Sequence, residues 1–180
     1  MTVSQILERL DRAEREIREG LRDVLTVQGG SMCGKIADRV IETGRDGEGQ
    51  AFSPYSTQPV PAFFYFERSL NQRGESAVRK AAKQRTGLSY RDFRDANNRP
   101  TDHKNFSFSQ EMWRGFGLKS VQPDGSGAWS LVIGGKTPTS AQRIEWNSER
   151  EGRSIVAPDA QELAELKANI VAHLQRTLTT

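Results

Sequence analysis

The residues equipped for chemistry are few: one cysteine, Cys33, and two histidines, His103 and His173, in 180 residues. A structural zinc site needs four nitrogen or sulfur ligands at short, regular spacings, and this set supplies none. His103 lies in a polar stretch with no serine elbow or cysteine spaced to partner it, and His173 falls on the flank of an amphipathic pattern. Gly135-Lys136-Thr137 matches the end of a phosphate-binding loop. Ser130 stands where that pattern has its first glycine, however, and Pro138 is expected to prevent the cap-to-helix geometry that aims amides at phosphate. Asp46 and Glu48 sit between glycines without the spaced ligands of a calcium loop, so a surface turn is expected there. No catalytic, cofactor-binding or metal-binding residue is assigned, and the chain reads as a protein that is not an enzyme and carries no cofactor.

Composition favours a single domain with a modest core. Only 35% of the residues are hydrophobic, and the mean hydropathy of −0.68 means that much of the chain is solvated or buried against partners. A lone cysteine forms no internal disulfide, which predicts folding in a reducing compartment with Cys33 as a packed residue. No apolar run approaches the roughly 20 residues of a membrane span. The charged N-terminal stretch is wrong for a signal peptide, so a soluble protein is expected.

The net charge of +3 hides an asymmetry. Residues 68–104 carry ten cations against four carboxylates, a net +6, and leave the rest of the chain at −3. Arg79, Lys80, Lys83, Arg85, Arg91 and Arg94 dominate this segment, with Tyr90 and Phe93 among them. Such a segment suits either a protein partner or a phosphate backbone, and the second would bind in a strongly salt-dependent way. Just before it, Phe63-Phe64-Tyr65-Phe66 is too apolar to stay wet and predicts packing on the domain or on a neighbouring subunit. The segment 57–104 is expected to form an extended basic arm or insertion that orders on assembly.

The elements that position these residues are set by periodicity. Val3, Ile6, Leu7, Leu10, Ala13, Ile17, Leu21, Val24 and Leu25 form one helical stripe, with Thr2 and Gln5 at capping-box spacing. Gly29-Gly30 interrupts the pattern, and the stretch up to Ile41 fits either a second helix or the far half of one kinked helix. Phe52 and Tyr55 are expected to tack down the glycine-rich stretch 43–56. Phe106 to Val121 holds Phe106, Phe108, Met112, Trp113, Phe116 and Leu118, mostly at even spacings, which predicts a half-buried strand with a local irregularity. Pro123-Asp124-Gly125 is turn chemistry, and Trp129, Leu131 and Ile133 mark the returning strand. Ser140 to Glu149 is a candidate short helix presenting Ile144 and Trp146. Pro158, the cap Asp159 and Glu162 introduce a final amphipathic helix through Leu178. The predicted class is α+β: N- and C-terminal amphipathic helices on a small antiparallel β-sheet, with long loops or arms.

The order of these pieces carries a resemblance. The first helix, the Thr43-Gly44, Asp46, Gly49, Phe52 and Pro54-Tyr55-Ser56 loop, and the stretch from Leu88 to Asp102 come first. Phe106 to Trp113, the hairpin and the last helix come after them, and together they resemble phage neck proteins. The similarity is to the tail-completion and head–tail connector proteins of long-tailed phages. Where that family opens the hairpin with a Thr-Gly segment, this chain has Ser109-Gln110-Glu111-Met112, so Gln110 replaces the glycine. Ala141 with Glu145, and Arg153 to Pro158, are approximate counterparts of later family elements.

The resemblance implies a structural subunit of the virion without an active site. Six or twelve copies would form a ring between portal or adaptor and tail-tube proteins, around a genome path to which DNA is not specifically bound, with no membrane involved. Under this reading Phe63 to Phe66 and the basic residues face partners, while the channel is neutral or acidic. The alternative is a nucleic-acid-binding module using residues 68–104. Within the hairpin, Phe106 and Phe108 are expected to dock the arm, and Met112, Phe116 and Leu118 to fill the core.

Overall fold

The computed structural model describes residues 3–68, 71–125 and 128–179. It is an α+β fold, with helices gathered around two small antiparallel sheets of two strands each. Helix α1 (Val3–Thr43) runs unbroken for 41 residues, about 60 Å at 1.5 Å per residue. Gly29 and Gly30 continue it where the sequence suggests a break or a kink. A Cβ on Gly29 would stand 2.9 Å from Leu131 Cδ2 and 3.1 Å from Leu118 Cδ1, so the glycine is a notch that admits the hairpin. That contact offsets the roughly 1 kcal/mol that a helical glycine costs relative to alanine.

Helix α6 (Ala160–Thr179) lies along α1. Its expected capping box is formed: Glu162 N–H donates to Asp159 Oδ1 and Asp159 N–H to Glu162 Oε2, both at 2.7 Å. Arg39 on α1 holds this corner, donating to Glu162 Oε1 at 3.0 Å, to the Ala157 carbonyl at 2.8 Å and to the Arg45 carbonyl at 2.9 Å. The capping residue expected at the other end, Thr2, lies outside the described residues.

The hairpin begins later than its aromatic spacing suggests. Gln110 has left-handed backbone (φ +61°) and introduces a one-turn helix α4 (Glu111–Arg114), and only then does strand β3 (Phe116–Pro123) start. Strand β4 (Trp129–Gly135) returns antiparallel, with Leu118 opposite Ile133, Val121 opposite Leu131 and Pro123 opposite Trp129. A bulge between Leu118 and Ser120 shifts the alternation by one residue, which puts Val121 on the face of Leu118. The irregularity read in the sequence is thus two features, a helical turn and a bulge. Of the turn between the strands, residues 126 and 127 lie outside the described part.

Helix α5 (Pro138–Glu151) packs against the end of β4, and Gly135 permits it: a Cβ there would fall 2.1 Å from Ala141 N. Thr137 is the N-cap of α5, accepting from Ser140 N–H at 3.2 Å, with Pro138 in the first turn. The expectation that Pro138 blocks cap-to-helix geometry is therefore corrected. Proline's fixed φ suits the first helical position, and Gly-Lys-Thr here makes a tight strand-to-helix corner.

Two cores result. The main one joins Met32, Cys33, Ile36 and Val40 of α1 to Phe52, Met112, Phe116, Ile144, Ile155 and Val156. Phe106, Trp113, Leu118, Ile133 and Leu166 pack against it. The second core belongs to residues 57–104, which fold into a small lobe where an extended arm is expected. Strand β1 (Pro59–Val60) pairs with β2 (Leu88–Ser89), and a 3-10 turn at Ala62–Tyr65, helix α2 (Gln72–Gln84) and helix α3 (Tyr90–Ala96) complete it. Ala62, Tyr65, Val78, Ala81 and Phe93 form its interior. Phe108 packs there as predicted, but Phe106 does not: it meets Phe52 edge to face in the main core, with centroids 5.0 Å apart.

Candidate functional site

The predicted partner residues divide on folding. Phe63, Phe64 and Phe66 are 60%, 49% and 52% exposed, while Tyr65 between them is buried under Phe93, its ring stacked at 4.4 Å. A 3-10 turn carries the run, and its near-threefold repeat turns one residue in three or four inward. Phe63 and Phe64 stack on each other at 4.5 Å. Phe63 and Phe66 share a groove of about 500 Å³ with Arg85, the left-handed C-cap of α2. Arg79, Lys80, Lys83, Arg85 and Arg91 are exposed, and Arg79 pairs with Glu75 one turn before it.

Arg94 is the exception and a correction. It is completely buried, because α3 puts Tyr90, Phe93, Arg94 and Asn97 on one face at helical spacing. Its Nε donates to the Pro100 carbonyl and its Nη2 to Asn105 Oδ1, each at 3.0 Å, and its guanidinium lies 4.2 Å from the centre of the Tyr55 ring. Tyr90 and Asn97 flanking it by four and three residues were the available sequence sign of this burial.

Asn105, which the sequence does not single out, is the hub beneath. Its Oδ1 accepts from Tyr55 O–H, Arg94 Nη2, Ser107 N–H and Ser107 O–H, all within 3.1 Å. Its own N–H donates to the Tyr55 oxygen at 3.0 Å. Burial pushes the Tyr55 hydroxyl above its ordinary pKa, against the lowering pull of the Asn105 backbone and Arg94, so it stays a neutral donor.

Tyr55, Arg94 and their neighbours line a cleft of about 650 Å³ between the lobe and the main body. Its aromatic walls are Tyr55, Phe64, Tyr65, Tyr90, Phe106 and Phe108, and among the described residues its charges are Arg68, Arg94, Lys104, Arg143 and Arg150 against Glu151. Glu151 accepts from Lys104 Nζ at 2.6 Å and from Ser53 N–H and O–H at 3.0 and 2.9 Å. Burial by itself would raise this carboxyl, but these donors together outweigh it and hold the group below its ordinary pKa.

His103 is held between two acceptors. Its Nε2 contacts the Ile41 carbonyl at the C-terminal end of α1 at 2.7 Å, and its Nδ1 contacts Asp102 at 2.8 Å. Two acceptors favour the doubly protonated ring, and its pKa is raised, first by the Ile41 carbonyl and then by Asp102, against partial burial. The folded state therefore holds this proton more tightly than the unfolded one. The stabilisation is complete below the ordinary value of 6.5 and is lost as pH rises through the raised folded value. Urea midpoints measured from about pH 5.5 to about pH 8.5 are expected to fall across this window, and His103→Gln to flatten the fall. An unchanged profile in the variant would remove His103 as the cause.

Asp46 is likewise a turn residue, its Oδ1 accepting from Glu48 and Gln50 N–H at 3.0 and 2.8 Å. Its Oδ2 lies 2.8 Å from Arg153 Nε, an ion pair without the alignment of a hydrogen bond. Among the described residues, no group of three or more His, Cys, Asp or Glu converges as a metal site. No described helix is long and apolar enough to cross a membrane. Compared with protein-family models, curated proteins and solved structures, the chain shows no match.

Proposed function

We propose that this chain is a structural subunit of a phage neck, assembling as a ring at the junction of portal and tail. The observation that carries the reading is the uncovered aromatic surface of the lobe, where Phe63, Phe64 and Phe66 stand about half exposed beside the cations of α2. Contiguous apolar surface of this kind is costly in water and marks a face that a partner covers. Gln110 adds support. At the position where the resemblance to tail-completion proteins places a glycine, the backbone is left-handed, a conformation that glycine adopts without penalty.

The test is the mass of the chain by light scattering and native mass spectrometry, alone and mixed with the portal and tail-tube proteins of its phage. Assemblies of six or twelve copies are expected, and the double variant Phe63→Ser, Phe64→Ser is expected to remain a folded monomer. A wild-type chain that stays monomeric and recruits neither partner would refute the ring. The nucleic-acid alternative draws on the exposed Arg79, Lys80, Lys83 and Arg85. Low-salt retention on DNA that vanishes when these four become Glu would favour it.

A further inference from the structure

We infer that the cleft between lobe and body is a binding site for a small organic anion: a carboxylate or phosphate carried on a flat apolar ring, with Arg94 as the buried anchor. A guanidinium taken wholly out of water is costly unless a negative charge answers it. Arg94 is 0% exposed, and no carboxylate pairs with it among the described residues. The carboxylate lining the cleft, Glu151, is committed to Lys104, and Glu111 is paired with Arg143 of the cleft wall. Nε and Nη2 have oxygen partners, but Nη1 is buried with none. Buried polar atoms are satisfied in the great majority of cases, and Nη1 is an exception on a residue that lines the cleft.

The remaining walls define what that ligand is. Their aromatic rings select a flat apolar body, which stacks at low entropic cost. The volume of about 650 Å³ falls in the usual range of small-molecule sites. The excess of cations at the cleft attracts an anion and repels a cationic analogue. Because Nη1 is shut off from solvent, contact with it requires the cleft walls over it to part, so binding includes that opening. The site needs neither ring assembly nor a partner protein and is tested on the free chain; Phe64 is the residue that both the cleft wall and the proposed partner face use.

Four probes separate head from body: benzoate, its neutral isostere benzamide, inorganic phosphate and phenyl phosphate. Titrations of the wild-type chain, followed by calorimetry and by ligand-observed NMR, are expected to show benzoate binding at least about tenfold tighter than benzamide, a difference of about 1.4 kcal/mol. Phosphate alone is expected to bind more weakly than phenyl phosphate, and ring protons of benzoate to show contacts with Tyr55 and Phe108. Asn105→Asp supplies a carboxylate to Arg94 from within and keeps every acceptor role of Oδ1, so it is expected to fold and to lose the preference for benzoate over benzamide. Equal binding of benzoate and benzamide, no binding of any ring probe, or an unchanged preference in folded Asn105→Asp would each overturn the inference. The first two outcomes are read on the wild type and do not depend on any variant folding.

Discussion

Phe116→Ala is expected to lower the free energy of unfolding by about 3–5 kcal/mol, seen as an earlier denaturation midpoint at an unchanged slope. Phe116 is 8% exposed and sits where three parts of the chain meet. It opens β3, stands opposite Gly135 and meets Trp113 edge to face at 5.7 Å. Gly135 is pressed against the backbone of α5 and has no side chain with which to fill the space, so the cavity left by truncation would persist. With typical domain stabilities of about 5–15 kcal/mol, this is a large fraction of the total. A variant that melts like the wild type would mean that β3 does not turn this face to the core.

Phe93→Ala is expected to act on the lobe. Phe93 is 1% exposed, stacks on Tyr65 at 4.4 Å and lies 5.2 Å from Phe108. Its removal empties the centre of a cluster with four other buried members among the described residues, at a cost of about 3–5 kcal/mol. Native-state hydrogen exchange distinguishes this from a general weakening. Amides of α2 and α3 are expected to lose protection, while those of β3 and β4 keep most of theirs. Uniform loss across both sets would show that the lobe and body open as one unit.

Much of the fold was written locally. The box of Asp159 and Glu162 and the short stripe of Ile36 and Val40 needed no knowledge of the rest of the chain. Other features were settled by tertiary contacts that leave no local trace. Gly29 reads as a breaker until Leu118 and Leu131 are set against it. The lobe's interior was hidden because α2 contributes only Val78 and Ala81 among its large or methyl-bearing buried residues, and the rings that complete it come from separate segments. The partner surface was legible in part: the run Phe63 to Phe66 announced itself by composition, but only the 3-10 geometry shows that Tyr65 leaves the surface. The cleft was not legible. Arg94 looks like the other cations around it, and Asn105 like any loop asparagine, until α3 and the Tyr55 loop bring them together.

The chain order of the two cores also has a consequence for how this protein closes. The buried interior of the lobe comes from Ala62 to Phe93, one continuous stretch. The buried residues of the main core come from Met32 to Phe52 and then Met112 to Val156 on either side of it, with Phe106 joining the main core on the way back. The two halves of the main core are thus joined by a tether of about 60 residues, from Phe52 to Met112. Loop-closure entropy grows as the logarithm of tether length, so a lobe already folded, acting as a tether of roughly ten residues, lowers the cost of joining those halves by about 1.6 kcal/mol. The lobe is then a clasp for the body as well as a surface, and whatever loosens Phe93 also taxes the contacts around Phe116.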